Sequence, residues 1–278
     1  MKTRIISGIV LALIVAGVLA LGIYVSPLFI TFFIALIAAA AVYELLHNAA
    51  GIKSKAAIIW ACVYVFFMIF LLNGSSEALT VKLTETFKLS PAVALSVVYF
   101  IFAAVMTLIM HKFFTISHIF ALAAMPIPLS YAFSSLGSVL NHESGIYYLL
   151  LLLNFSSVCD MGAYFVGSAI GKHKLCPEIS PHKTVEGAVG GIVSSIIVTL
   201  ILVFVFSFED KLTATLLLTV PFCALGMVGD LFASSIKRAA GIKDYGKLIP
   251  GHGGILDRFD SIIMIAPLLY LFITAGVI

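Results

Sequence analysis

Charge is what this chain has least of. Asp, Glu, Lys and Arg make up 10% of its 278 residues, against about 25% in an ordinary soluble domain. That scarcity excludes a disordered chain or a solvated charged tail. A net charge of +3 gives no general affinity for nucleic acid. Cysteine is sparse too. Cys62, Cys159, Cys176 and Cys223 are scattered, with neither metal-ligand spacing nor a secreted disulfide framework, and read as small buried apolar side chains. The 9 prolines and 21 glycines form no long tract, which excludes collagen-like and low-complexity architectures. What fills the chain instead is apolar: 62% of residues are hydrophobic and the mean hydropathy is +1.18. The fold class is therefore all-α, a polytopic integral membrane protein, with a length that allows about eight to ten transmembrane helices.

Apolar runs between polar punctuation give nine spans, approximately 5–25, 27–46, 56–72, 91–110, 116–139, 146–170, 187–208, 212–235 and 256–276. The first follows Lys2 and Arg4, as a signal peptide would, but is too long for an h-region and lacks a small-x-small cleavage site, so it reads as an uncleaved helix. Nine helices alternate the sides of every loop, which puts 13 of the 16 Lys and Arg residues on the side of the N-terminus. That asymmetry predicts a cytoplasmic N-terminus. Residues 1–145 then hold about five N-terminal spans, and 146–278 form a region with two long cytoplasmic connections, 171–187 and 237–254. The polar segment 73–90 reads as an interfacial amphipathic helix or as a plain loop.

The second connection joins carboxylates to a basic, glycine-rich loop. Asp230, Ser234 and Lys237 recur at i, i+4 and i+7 along one helical face, and Asp257 and Asp260 share a face at the start of the last span. A carboxylate in a span is costly and normally faces a cavity or a partner. The bland alternative is an Asp paired with Lys or Arg to tie two helices together. The concentration of Asp230, Asp257 and Asp260 with Lys237, Arg238, Lys243 and Lys247 points instead to phosphate and a divalent metal. Gly251, Gly253 and Gly254 would let backbone N–H groups approach an anion. His252 between them reads equally as a phosphate contact, a proton shuttle or a structural hydrogen bond. In the first connection Asp160, Tyr164 and Gly167 share a face, and Lys172, Lys174 and Lys183 follow. The positive-inside bias explains Lys172 and Lys174 nearly as well.

The stretch from Ser234 to Asp260, with S-S-I-K-R, K-D-Y-G and I-P-G-H-G-G-I-L-D-R-F-D, resembles the signature of the phosphatidate cytidylyltransferase (CDP-diacylglycerol synthase) family. D-x-G-A-Y-x-x-G at Asp160–Gly167 and S-P-x-K-T-x-E-G at Ser180–Gly187 are similar to the family's other two recurrent segments. His182 departs from the second lysine expected there. The resemblance implies transfer of CMP from CTP to phosphatidic acid, giving CDP-diacylglycerol and pyrophosphate with Mg²⁺ at one or two metal sites. It implies Asp230 and Asp257 as metal-binding residues, with Lys237, Arg238, Lys243, Asp244 and Asp260 as catalytic residues. Asp160, Lys183, Ser234, His252, Gly253 and Arg258 would contact substrate. A homodimer in a bacterial-type inner membrane, with the active site facing the cytoplasm, belongs to the same expectation. Read without the resemblance, Asp160, Asp230 and Asp257 also fit an ion path in a transporter, and the basic loops fit a protein that binds anionic head groups.

Overall fold

A computed structural model describes residues 2–73 and 90–278, with side chains from residue 6 onward. The segment 73–90, read as an interfacial helix or loop, lies outside the described residues but for its two ends.

The chain is helical wherever the apolar runs predict it, because a backbone in lipid must satisfy its N–H and C=O groups within the segment. The helices are α1 (Lys2–Tyr24), α2 (Leu28–Tyr43), α3 (Lys55–Asn73), α4 (Pro91–Ile109), α5 (Ile116–Ala124) and α6 (Pro126–Leu140). They continue with α7 (Gly145–Leu153), α8 (Cys159–Ile170), α9 (Val185–Val205), α10 (Leu212–Ala239) and α11 (Leu256–Thr274). Among the described residues, eight helical stretches are long and apolar enough to cross a membrane. The ninth expected span is α11, 19 residues long, which carries Asp257, Arg258 and Asp260 near its start. Leu13, Leu108, Ile116 and Leu217 stand more than two-thirds exposed on these helices. In water such apolar surface would be an association hazard; in a bilayer it is the lipid-facing surface. The protein is an integral membrane protein.

One departure from an all-helical reading is small. The connection 171–187 holds an antiparallel hairpin of β1 (Lys174–Cys176) and β2 (Ser180–Thr184), pairing Lys174 with Thr184. All four cysteines are free thiols, with Cys159 and Cys223 buried.

The chain divides into two compact units, residues 1–141 with 242–258, and residues 142–241 with 259–278. In the first, buried Ala35, Ala38 and Ala41 of α2 and Ala57 and Ala61 of α3 are small enough for helix backbones to approach closely. Asn73 at the end of α3 donates to the Ser134 carbonyl of α6 at 2.9 Å and accepts from the Ser134 hydroxyl. After Tyr43, α2 widens into a π-turn, Glu44–Ala49.

The second unit is built on glycine. A methyl group at Gly162, Gly167, Gly187 or Gly191 would press on the facing helix of the α8–α9 pair, so these four positions set how closely the two helices lie. A second π-turn, Asn154–Val158, joins α7 to α8. Its buried Asn154 donates to the Ser195 carbonyl at 3.0 Å and the Thr199 hydroxyl at 2.9 Å, and Thr199 meets Thr219 of α10 at 3.0 Å. This polar chain binds three helices where lipid offers no hydrophobic driving force. Gly226 and Gly229 let α10 lie against Ile265, Ser261 and Met264 of α11.

Candidate functional site

In the second unit the α8–α9 packing brings Asp160 and the end of the hairpin together. Thr184 caps α9, its hydroxyl accepting from the Gly187 N–H at 3.1 Å. Glu186 accepts from the backbone N–H groups of Lys172 and His173 and lies 2.6 Å from the His173 ring nitrogen, which fixes the start of the hairpin. Lys183, one residue before the cap, then reaches two carboxylates. Its ammonium is 2.6 Å from Asp230 Oδ2 on α10 and 3.9 Å from Asp160 Oδ1 on α8.

The Lys183 nitrogen is itself shut off from solvent, and charge and proximity rather than an aligned hydrogen bond hold it there. The helix-tying ion pair foreseen as the bland alternative is therefore present, and it lines a cavity of about 270 Å³. Tyr164, Ser180, His182, Thr184 and Gly187 share that wall with Asp160, Lys183 and Asp230. Ser234 follows Asp230 by one turn and donates to its Oδ1 at 3.4 Å. Asp260 on α11 lies within electrostatic reach of Asp230, Asp160 and Lys237. Five of the expected residues, Asp160, Lys183, Asp230, Ser234 and Asp260, thus gather in one unit, with the buried Lys237 near them. Arg238 follows on α10 and is exposed.

The signature loop belongs to the first unit. Asp257 is 7% exposed, and its Oδ2 accepts from the backbone N–H of Tyr245 at 2.8 Å and of Gly254 at 3.0 Å. The loop closes on itself through the Ile249 N–H on the Gly253 carbonyl, at 3.0 Å, and the His252 N–H on the Ile249 carbonyl, at 2.9 Å. Gly251 and Gly253 sit at φ of 80° and 88°, conformations that side-chain-bearing residues rarely adopt. His252 Nδ1 lies 2.9 Å from the Ser7 hydroxyl of α1. Lys243, Asp244, Lys247 and Arg258 are exposed along this loop and its exit.

Sequence reasoning missed Glu44, which sits in a stretch read only as membrane span, and Asn48, two residues past the end of that span. Glu44 is 4% exposed; its Oε1 accepts from the Ile255 N–H at 3.1 Å and its Oε2 from the Leu256 N–H at 3.0 Å. Asn48 donates to the Tyr245 carbonyl at 2.6 Å. The available signal was a carboxylate in an otherwise apolar run, the argument already applied to Asp160 and Asp230. It also bears on the glycine loop. The N–H groups of Gly254, Ile255 and Leu256, suited by position to an incoming phosphate, already hold carboxylates of the chain.

The model of the cytidylyltransferase family matches residues 2–275. A stretch of 144 residues is 44% identical to a phosphatidate cytidylyltransferase of Staphylococcus saprophyticus, covering 51% of this chain and 55% of that one. Over 127 residues it is 45% identical to the enzyme of that name from Staphylococcus haemolyticus, covering 46% and 49%. Over 144 residues it is 42% identical to that from Staphylococcus aureus, covering 51% and 55%. The chain spans about half the length of the curated relatives it matches.

Proposed function

We propose that this chain, which belongs to the cytidylyltransferase family, transfers CMP from CTP to the phosphate of phosphatidic acid, releasing pyrophosphate and forming CDP-diacylglycerol. The observation that carries the reading is the cavity where Lys183 faces Asp160 and Asp230. The family match favours a transferase over the transporter, and the names of the relatives supply the acceptor.

The chemistry asks little of a general base. A phosphate monoester has its second pKa at about 6, so the phosphatidate oxygen is already anionic at neutral pH. That oxygen attacks the α-phosphorus of CTP, and the bond to pyrophosphate breaks. The protein must hold two polyanions in line and stabilise the leaving group. Lys183 is placed to offer its charge to a phosphate, with His182, Ser180 and Tyr164 along the same wall. Lys237, Arg238 and Lys243 are the proposed further phosphate contacts, with Asp244 orienting one of the lysines. Ser234, His252, Gly253 and Arg258 complete the proposed substrate contacts, and Asp160 and Asp260 stay with the cavity. A cytoplasmic N-terminus, and a site opening to the cytoplasmic face of a bacterial-type inner membrane, suit a soluble nucleotide and a lipid head group. The homodimer rests on the resemblance.

Asp230 and Asp257 are the proposed Mg²⁺-binding carboxylates; Asp230 stands beside the cavity, and Asp257 would have to combine metal binding with its grip on the Tyr245 and Gly254 N–H groups. Among the described residues no three His, Cys, Asp or Glu side chains form a closed cage. Mg²⁺ takes one or two carboxylates and completes its shell with water and substrate phosphate. When bound, Mg²⁺ would neutralise charge on the phosphates.

The test is pyrophosphate release from purified protein in detergent with CTP and Mg²⁺. Release that requires phosphatidate and fails with ATP supports the reading. No release from folded protein overturns it.

A further inference from the structure

We propose that Glu44 is a positioning residue of the signature loop, a carboxylate on the second span that fixes residues 242–258 for work on substrate. The proposal rests on the cytidylyl-transfer reading for its catalytic consequence and on geometry for the rest.

A buried carboxylate in a membrane span persists only if its charge is met. Here each oxygen accepts one backbone N–H, from Ile255 and from Leu256. Those are among the first N–H groups of α11, which lack partners inside the helix and carry the positive end of its dipole. Glu44 is thus an N-terminal cap supplied by a residue more than 200 positions earlier. The loop is shaped around it. A methyl group at Gly246 or Gly254 would run into the Glu44 carboxylate, so two glycines of the signature leave room for that side chain rather than for a ligand.

The π-turn gives the second grip. In the wider turn at Glu44–Ala49, Glu44 and Asn48 both reach the loop, and Asn48 takes the Tyr245 carbonyl. Asp257 takes the N–H of the same residue. Tyr245 is therefore held by both of its backbone groups and is 1% exposed. With Gly254, Ile255 and Leu256 pinned at the other end, residues 246–253 form a short closed span carrying Lys247, His252 and Gly253. Holding both ends sets where those side chains stand. The first unit's N-terminal spans would then be part of the catalytic apparatus and not only an anchor.

The experiment measures two things on full-length protein in detergent: backbone amide exchange across 242–258, and kcat and KM for CTP. Glu44→Gln keeps the volume but turns an amide NH₂ toward a backbone N–H. Exchange at Ile255 and Leu256 should rise by about tenfold, the scale of one lost helix cap. Turnover should fall by a similar factor, with KM for CTP unchanged. Asn48 is exposed and tolerates truncation, so Asn48→Ala should show the same pattern at about threefold, the scale of one hydrogen bond. Gly254→Ala should be damaging alone, yet add nothing in Glu44→Ala, where the collision is gone. Turnover of Glu44→Gln within about twofold of the unaltered protein despite faster exchange would reduce Glu44 to a structural cap. Unchanged exchange would remove the clamp itself, as would additive losses in the double variant. If the unaltered protein fails to turn over CTP, the reaction falls, and exchange alone still decides the clamp.

Discussion

Carboxylates in the two units meet their charge in opposite ways. In the first, Glu44 and Asp257 are nearly inaccessible and are satisfied by backbone N–H groups. In the second, the side chains of Asp160 and Asp230 remain 47% and 25% exposed beside a cavity and face the ammonium of Lys183. A backbone N–H cannot leave without unfolding the loop, whereas an ammonium on a four-carbon stem moves by rotating bonds. The first arrangement builds structure. The second keeps charge available to an arriving anion or metal.

The largest expected effect breaks the comparison if it fails. Asp230→Asn should lower turnover by about a thousandfold, the upper range for losing one electrostatic contributor, here a carboxylate proposed to hold Mg²⁺, while amide exchange in residues 142–241 stays as in the unaltered protein. Asp257→Ala should also abolish turnover but accelerate exchange at Tyr245 and Gly254, because the one oxygen that accepts both N–H groups is gone. Equal exchange behaviour in the two variants would erase the distinction. Next in size is Lys183→Met, expected to lower turnover by about a hundredfold. It should also destabilise the second unit by about 1 kcal/mol, well below the cost of breaking a fully buried pair because the Asp160 and Asp230 side chains left behind reach solvent. In Lys183→Met/Asp230→Asn the repulsion is relieved, so the thermal midpoint should recover though activity does not.

Much of this was legible in the residues. Long apolar runs predict the eight stretches long and apolar enough to cross a membrane among the described residues, because a helix satisfies its backbone within its own segment. The fixed spacing from Ser234 to Asp260 carries the family resemblance. Asp160 and Asp230 could be named because a charge in an apolar stretch demands a reason, and Lys183 because it follows in a basic connection that resembles a family segment. What the sequence hid was pairing over distance. Glu44 meets Leu256 across more than 200 residues, and no local pattern signals it. The π-turns at Glu44 and Asn154 are equally silent, since one extra residue in a turn leaves an all-apolar periodicity unchanged. Of the glycines expected to admit an anion, Gly254, together with Gly246, makes room for one that is a side chain of the same protein. The hairpin at 174–184 was missed because Lys174–Cys176 is too short for alternation to show.

The smallest expected effects carry the comparison to an exposed site. Glu186 uses both kinds of partner at once, the backbone N–H groups of Lys172 and His173 and the His173 ring. Solvent screens the ring contact, and an exposed pair of this type contributes little. The backbone contacts fix the chain where it leaves Gly171 for the hairpin that carries Lys183. His173→Ala keeps those contacts and removes only the ring, so turnover should stay within about twofold. Glu186→Ala removes all of them and should lower turnover further, with faster amide exchange at Lys172 and His173. Should His173→Ala prove as damaging as Glu186→Ala, then the ring and not the backbone holds this corner. The division between carboxylates that build and carboxylates that wait would then not extend beyond the buried pairs.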